Sequence, residues 1–429
     1  MDQFTPNCYV EVGTSGILAK IEALRMYRGV MRPYPHPRSE EYITGLAAFR
    51  GKRTSYGGLF TSDNPVYIYG DLMSLVCDAN YEPLRSLTAT NAFKESFKNR
   101  TNVDIDPEKE LVLSAETVGT SGYLSMFEGC TSLTKAPVIV ATTLGETSCE
   151  AMFKNCSSLV TPPPVLLAEE VPPRGYRSMF EGCTSLTAPP DMSKMKTVKS
   201  GNWSSGTNGD GNAQNTYGGC LKMFSGCKAL TSLPNLSGLR TVEGYGMYRM
   251  FFQCTGLTSV PAGLLNGVTQ FQQGCFFGMF EECSNLVSVG DFLPKPADGD
   301  PYPMAKECYR QLFKICTKLS SVPSDFLPAT TLAELCYTGM FEQCKALVTA
   351  PDLPAETLAS KCYEWMFESC SSLTSIRCLA TNSKSINATD KWLQNAKNTA
   401  ECTFYKKAGA VWKTGTNGIP DKWNVVEVD

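Results

Sequence analysis

Apolar positions recur along most of the chain in one block: Met (once Leu), Phe, two variable residues, Cys, two more variable residues, and Leu. The block occurs nine times, with its cysteines at Cys130, Cys156, Cys183, Cys227, Cys254, Cys283, Cys316, Cys344 and Cys370. Consecutive cysteines lie 26, 27, 44, 27, 29, 33, 28 and 26 residues apart. The base unit is therefore about 26 residues, and two units are enlarged by insertions at 194–219 and 290–306. This pattern predicts about ten stacked repeats, in which each unit buries its apolar face against its neighbours.

Each unit predicts two short elements. After the cysteine, alternating apolar residues that end at a proline, as in 257–261, predict a very short strand. Before the methionine, Leu358, Cys362 and Met366 recur at helical intervals, which predicts one short helical or 3₁₀ turn. Stacking such units gives an α/β solenoid whose strands form a parallel sheet along one side.

The repeated core MF-x-x-C-x-S-L-T resembles the BspA-like leucine-rich repeats of Bacteroides-type surface proteins. The linking phrases LPATTLAELCYTGMF and LPAETLASKCYEWMF are similar to that family, as are the lead-in VYIYGDLMSLVCD and the ending GIPDKWNVVEVD. The resemblance covers residues 66–429. It implies a leucine-rich-repeat solenoid that acts as an adhesin or host-ligand binder. Residues 1–65 and the 44-residue unit depart from the family pattern.

The chain divides into four predicted parts. Residues 1–65 are an irregular or β segment and a possible docking region, because their proline-rich stretch excludes regular structure. Residues 66–125 are an entry cap with a degenerate first repeat, in which Phe97 takes the place of the repeated Phe. Residues 126–380 are the array, and residues 381–429 are a closing cap.

Composition narrows the function classes. Hydrophobic residues make up 42% and charged residues 19%, as in folded proteins, and the net charge of −3 disfavours a nucleic-acid partner. No stretch is long and apolar enough to predict a membrane span. The first residues lack the basic start and apolar run of a signal peptide. We therefore expect a cell-surface or extracellular location if an export signal was removed, with a virion as the alternative.

The most visible candidate chemistry is the column of nine repeated cysteines among 19 in the chain. A metal cluster, disulfides or a redox relay are possible readings, but none of the nine shows C-x-x-C spacing and the chain has a single histidine, His36. A stacked column also shares each cysteine between two neighbours, which frustrates pairing. We therefore interpret the column as buried free thiols, and His36 as a solvated loop residue. No catalytic residue, metal or cofactor is predicted.

The first insertion is the candidate ligand site. It is a Gly- and Ser-rich loop that carries Trp203 and Tyr217, with Lys199 nearby. An aromatic side chain on a polar loop suits a binding hot spot, although the loop could instead cover the solenoid. Asp210 lies in an NGDGN run that lacks the spacing of a calcium loop, so a plain turn is the simpler reading.

Two functions remain open. The favoured hypothesis is a non-enzymatic binding or adhesion module that presents its surface to a protein or glycan ligand on a host or neighbouring cell. The alternative is a structural subunit of a larger assembly, such as a phage receptor-binding or decoration protein, which docks through residues 1–65. An enzyme has no motif in its favour.

Overall fold

The computed structural model describes residues 8–11, 66–75, 85–201, 218–295, 304–381 and 387–429. Its strands are very short and follow one another around successive coils of the chain. In order they are β1 (Cys8–Glu11), β2 (Val66–Asp71), β3 (Ser86–Leu87), β4 (Val103–Ile105), β5 (Leu111–Leu113), β6 (Thr117–Val118), β7 (Val138–Ile139), β8 (Thr143–Leu144), β9 (Glu170–Val171), β10 (Thr197–Val198), β11 (Thr241–Val242), β12 (Ser259–Val260), β13 (Gln270–Phe271), β14 (Ser288–Val289), β15 (Ser375–Cys378), β16 (Thr403–Lys407) and β17 (Asn424–Val428).

Equivalent strands of successive coils pair in parallel, which confirms the predicted solenoid. β10 pairs with β9 on one side and β11 on the other, and β11 continues to β13. The register keeps like positions together, since Thr197 lies opposite Thr241. β12 and β14, which follow the repeated cysteine, also pair in parallel. Among the described strands, β1 is the exception, because it runs antiparallel to β2.

The segment before each repeated methionine differs from the predicted helical turn. In the described residues the one helical element is a 3₁₀ turn at Leu72–Leu75. The repeated segments are runs of consecutive turns in which every fourth residue has a positive φ, as at Ser121 (56°), Ser125 (52°) and Gly129 (73°). Such segments occupy 91–99, 121–129, 147–155, 174–182, 218–226, 245–253, 274–282, 307–315, 335–343, 361–369 and 387–395. We call this side of the solenoid the turn face.

Backbone hydrogen bonds explain why these segments are not helices. Every second N–H points to the next coil, so that Tyr123 donates to the Ser148 carbonyl (2.7 Å) and Phe127 to the Met152 carbonyl (2.8 Å). The intervening N–H groups turn back three residues within their own coil. A helix would use all of these donors internally. The positive φ values instead aim half of them at a neighbour, so the turn face is cross-linked between coils like the strands.

Identical side chains stack inside the solenoid. The ten phenylalanines of the repeated position form a column with ring centroids 5.2–6.0 Å apart and nearly parallel planes: Phe97, Phe127, Phe153, Phe180, Phe224, Phe251, Phe280, Phe313, Phe341 and Phe367. Such ring pairs add about 0.5–1.5 kcal/mol each to the burial of their area. Phe97 opens the column, which fits its predicted place in a degenerate first repeat.

The C-terminal end of the core is closed by tryptophans. Trp392 is fully buried, stacks on Tyr363 at 6.2 Å and on Trp412 at 5.4 Å, and donates its indole N–H to the Gly418 carbonyl (2.8 Å). The strands β15, β16 and β17 pair in parallel around this end. The predicted boundaries of the four parts remain predictions, and most of residues 1–65 lies outside the described residues.

The third positive-φ position of each turn segment leads to a prediction about stability. Ile315 occupies that position with φ 62°, where other coils carry glycine, as at Gly226 (φ 74°). A left-handed residue with a side chain costs about 1–2 kcal/mol, so Ile315→Gly should raise the free energy of unfolding by about 1 kcal/mol. The measurement is the denaturant midpoint of the full chain.

The reciprocal change is Gly226→Ala. A Cβ at Gly226 would lie 3.7 Å from its nearest neighbour, so the substitution tests the backbone alone. It should destabilise the chain by about 1 kcal/mol. Equal midpoints for both variants and the wild type would contradict the strain argument.

Candidate functional site

The first insertion leaves the solenoid between β10 and the turn face. The Gly219 N–H donates to the Lys199 carbonyl at 2.9 Å, so the two ends of the insertion lie side by side. The carboxylate of Glu243 accepts the Ser200 N–H at 2.8 Å and fixes the point where the chain departs. The Lys199 ammonium forms an ion pair with Glu170 at 2.6 Å. Lys199 is thus a paired cation at the base of the insertion.

The other predicted ligand residues, Trp203, Asp210 and Tyr217, lie outside the described residues, as does His36. The second insertion lies partly outside them too. It rejoins the array at Met304, just before the turn segment 307–315, where the Lys306 carbonyl accepts the Gly274 N–H at 2.9 Å. Both insertions therefore join the solenoid next to the turn face.

Between the two insertions, a second apolar cluster lies on the outer side of the turn face. We call it the aromatic cluster, and its members are Leu221, Tyr245, Tyr248 and Phe277. The Tyr248 ring lies 5.0 Å from Phe277 and 6.3 Å from Tyr245. All four side chains are buried, yet they are separate from the continuous core of the solenoid.

Tyr245 spans two coil interfaces. Its ring crosses the turn segment of the next coil at Gly274, where an added Cβ would lie 2.3 Å from a ring carbon. Beyond it, the Tyr245 hydroxyl donates to Glu307 at 2.6 Å and accepts from Gln273 at 3.1 Å. Burial and the Glu307 carboxylate raise the pKa of Tyr245 well above its ordinary value, so the hydroxyl stays a donor. Glycine at position 274 therefore permits this long side chain to lie flat.

Arginines border the aromatic cluster. The Arg249 guanidinium donates two hydrogen bonds to Glu281, at 2.7 and 3.0 Å, and stacks over Tyr248 (5.3 Å) and Phe252 (4.9 Å). Arg310 stacks over Phe277 at 5.0 Å. Burial raises the pKa of Glu281, although the charge of Arg249 lowers it. The two hydrogen bonds to Glu281 and the contacts with two rings fix the position of the Arg249 guanidinium.

Elsewhere the same side of the turn face carries ion pairs between coils. Lys154 pairs with Glu181 at 3.2 Å, and Lys314 pairs with Glu342 at 2.9 Å. The sequence analysis missed the aromatic cluster. A signal was present, because the position two before the repeated methionine is Leu221, Tyr248 and Phe277 in three consecutive units.

The nine repeated cysteines are buried and unpaired, as are the other eight cysteines whose side chains the structure describes. Each of the nine donates its S–H to the carbonyl of the repeated Phe in the preceding coil, at 3.0–3.2 Å. The Phe153 carbonyl, for example, accepts both the Cys156 N–H and the Cys183 S–H. The thiols therefore link neighbouring coils by hydrogen bonds, and each one satisfies the second lone pair of a buried carbonyl.

Burial makes these thiols poor nucleophiles. Burial raises the pKa of Cys227 and of Cys283 to about 12, and raises that of Cys254 well above its ordinary value. Because the thiolate is the reactive and metal-binding form, the column is not a nucleophilic site. In the described ranges, no group of three or more His, Cys, Asp or Glu side chains is placed to hold a metal ion.

Comparisons with known proteins find solved leucine-rich repeat structures of low similarity. No family model matches the chain, and no curated protein matches it significantly. A leucine-rich repeat protein from Bacteroides ovatus ATCC 8483 is 14% identical with a TM-score of 0.39, covering 86% of this chain and 97% of that one. One from Eubacterium ventriosum ATCC 27560 is 15% identical with a TM-score of 0.26, covering 84% and 95%. The repeat architecture rests on the strands and turns of this chain, and membership of the BspA-like family stays a prediction.

Gly274→Ala tests the position of Tyr245. The added methyl would meet the ring, so we expect the Tyr245–Glu307 hydrogen bond to break and the chain to lose about 1–3 kcal/mol of stability, including strain from the positive φ. Thermal unfolding measures the loss. The matched control is Gly409→Ala, where φ is also positive (73°) and a Cβ would have no neighbour within 4 Å. An equal effect of both substitutions would argue against the packing of Tyr245 over Gly274.

Thiol titration tests the cysteine column. With 17 of 19 cysteines free and buried, the native chain near pH 8 should expose at most Cys8 and Cys77 to a disulfide reagent such as DTNB. Unfolding in concentrated guanidinium chloride should release the rest, because their raised pKa values return to the ordinary range. Rapid reaction of more than two native thiols would contradict the buried column.

Proposed function

We propose that the chain is a non-enzymatic binding module that contacts a protein or glycan ligand through the turn face between its two insertions. The observation that carries this proposal is the Arg249 guanidinium over the half-buried Phe252, at the edge of the buried aromatic cluster. A stacked-repeat solenoid is suited to binding because it offers a long, rigid surface.

The proposed surface has the composition of an interaction hot spot. Arginine is enriched at such positions, and Arg249 is held in a fixed conformation by its two hydrogen bonds to Glu281 before any ligand arrives. The half-buried Phe252, under the Arg249 guanidinium, adds apolar surface next to the cluster. A ligand would therefore lose little entropy in ordering this side of the interface.

The absence of catalysis is part of the proposal. It is supported by the buried cysteines, whose raised pKa values keep them protonated. A reaction would need a placed nucleophile, acid or metal. Nucleic acid is not among the proposed partners, since the net charge is −3. Within the described residues, no helix is long and apolar enough to cross a bilayer.

We further propose a BspA-like role at the cell surface or outside the cell. The alternative is a virion subunit that docks through residues 1–65, of which β1 is tied to β2 by antiparallel pairing. The genomic neighbourhood separates them: capsid or tail genes support the virion, and an upstream export signal supports the surface protein.

Binding of the intact chain to glycan and host-protein arrays tests the proposal. For any retained ligand, Phe252→Ala should weaken binding about tenfold, as expected for loss of an apolar contact at a hot spot. Val160→Ala is the matched control, because Val160 is 46% exposed beside the short strands that follow the cysteines. Equal affinity of both variants would exclude this surface, and failure to retain any ligand would count against a binding module.

A second variant tests the insertion. Because Lys199 and Gly219 are hydrogen-bonded, residues 201–218 can be replaced by a short glycine linker without separating the ends. If Trp203, Asp210 or Tyr217 contribute to binding, the shortened chain loses affinity while its melting temperature is preserved. Unchanged affinity would remove these three residues from the site.

A further inference from the structure

Lys222 is a half-buried cation on the turn face. It lies in the turn segment 218–226 with φ 52°, directly after Leu221 of the aromatic cluster. None of the ion pairs found among the described residues, such as Lys154–Glu181 and Arg249–Glu281, involves Lys222. Burial lowers the pKa of Lys222 below its ordinary value, and the charges of Arg249, Lys154 and Arg177 lower it further, against the opposing effect of Glu181. Four cations from four successive coils therefore lie along this part of the turn face.

The carboxylates near Lys222 are engaged by other cations. Glu181 pairs with Lys154 at 3.2 Å, and Glu281 holds Arg249 in two hydrogen bonds. Glu150 accepts from Arg174 at 2.8 Å and lies 3.9 Å from Arg177.

Of the charged groups that act on Lys222, three are cations and one, Glu181, is a carboxylate, so positive charge is locally in excess on a chain whose net charge is −3. The excess favours an anionic group, and Lys222 offers it donors that no described carboxylate occupies.

The surroundings indicate what kind of anion fits. The rings of Tyr248 and Phe277 are 5% and 9% exposed, so they offer little face for a sugar ring to stack on. A densely charged polyanion would meet Glu150, Glu181 and Glu281 beside the lysine. A single carboxylate next to an apolar group suits the surface better, because Phe252 lies half-buried beneath Arg249.

We propose that Lys222 and its flanking surface bind the carboxylate of an acidic protein segment, whose neighbouring apolar side chain packs beside Phe252. This inference rests on the proposed binding function and specifies its partner: a protein segment with Asp or Glu adjacent to an aromatic or aliphatic residue. The arginines, already held by carboxylates, shape the site, and Lys222 supplies the new ion pair.

The experiment uses the full chain and three immobilised probes: a glutamate–tyrosine copolymer, poly-L-glutamate and polygalacturonate. We expect the copolymer to bind best, because it offers both carboxylates and apolar rings, and its binding to weaken with added salt. Lys222→Gln should reduce copolymer affinity about tenfold, and Lys222→Arg should retain most of it. The control Lys228→Gln removes the same charge from an exposed position after Cys227 and should leave affinity unchanged.

Each other outcome overturns the inference. Equal losses for Lys222→Gln and Lys228→Gln would show that copolymer binding depends on the overall charge of the chain and not on a site at Lys222. Preference for polygalacturonate would assign the surface to an acidic glycan, and failure of the copolymer to bind would remove the acidic protein segment. Melting temperatures of the variants separate unfolding from lost contact. If array ligands depend on Phe252 but not on Lys222, the binding function stands and this inference alone fails.

Discussion

The alternating hydrogen bonding of the turn face is the constraint on which the rest of the molecule depends. Half of the backbone N–H groups in these segments are donated to the next coil, so no coil is satisfied by itself. Each coil therefore needs its neighbours for polar groups as well as for apolar burial, and stability accrues between neighbours as in other repeat arrays. The left-handed residues at every fourth position are the cost of this arrangement.

The column of repeated cysteines contributes to the same hydrogen bonding between coils. A small side chain is needed beside the stacked phenylalanines, and the S–H group donates to a carbonyl that already accepts one backbone N–H. Alanine would fill similar space without the donor, and serine would bury a more polar group. Cysteine thus combines apolar burial with a weak donor, and its high pKa keeps it unreactive.

The way in which coils lie side by side also determines which side chains form a patch on the outer surface. Residues at one position of successive coils lie side by side, so a change of composition over three units creates a local patch. At the position that holds Glu150, Arg177, Arg310 and Glu364 in other coils, three consecutive coils place Leu221, Tyr248 and Phe277. The patch lies between the bases of two insertions, and Lys222 borders it. Recognition is thus proposed where the repeat is least regular, while the interior stays uniform.

The sequence by itself determined the repeat, the parallel strands and the stacking of like side chains, because these follow from a local period of apolar residues. It also identified Phe97 as the start of the stack. It did not determine the turn geometry, since the same spacing suits a helix until a neighbouring coil is present to accept the N–H groups. Nor did it reveal the aromatic cluster, where Tyr245 reaches Glu307 across 62 residues. Such contacts depend on how coils lie side by side, which only the tertiary structure decides.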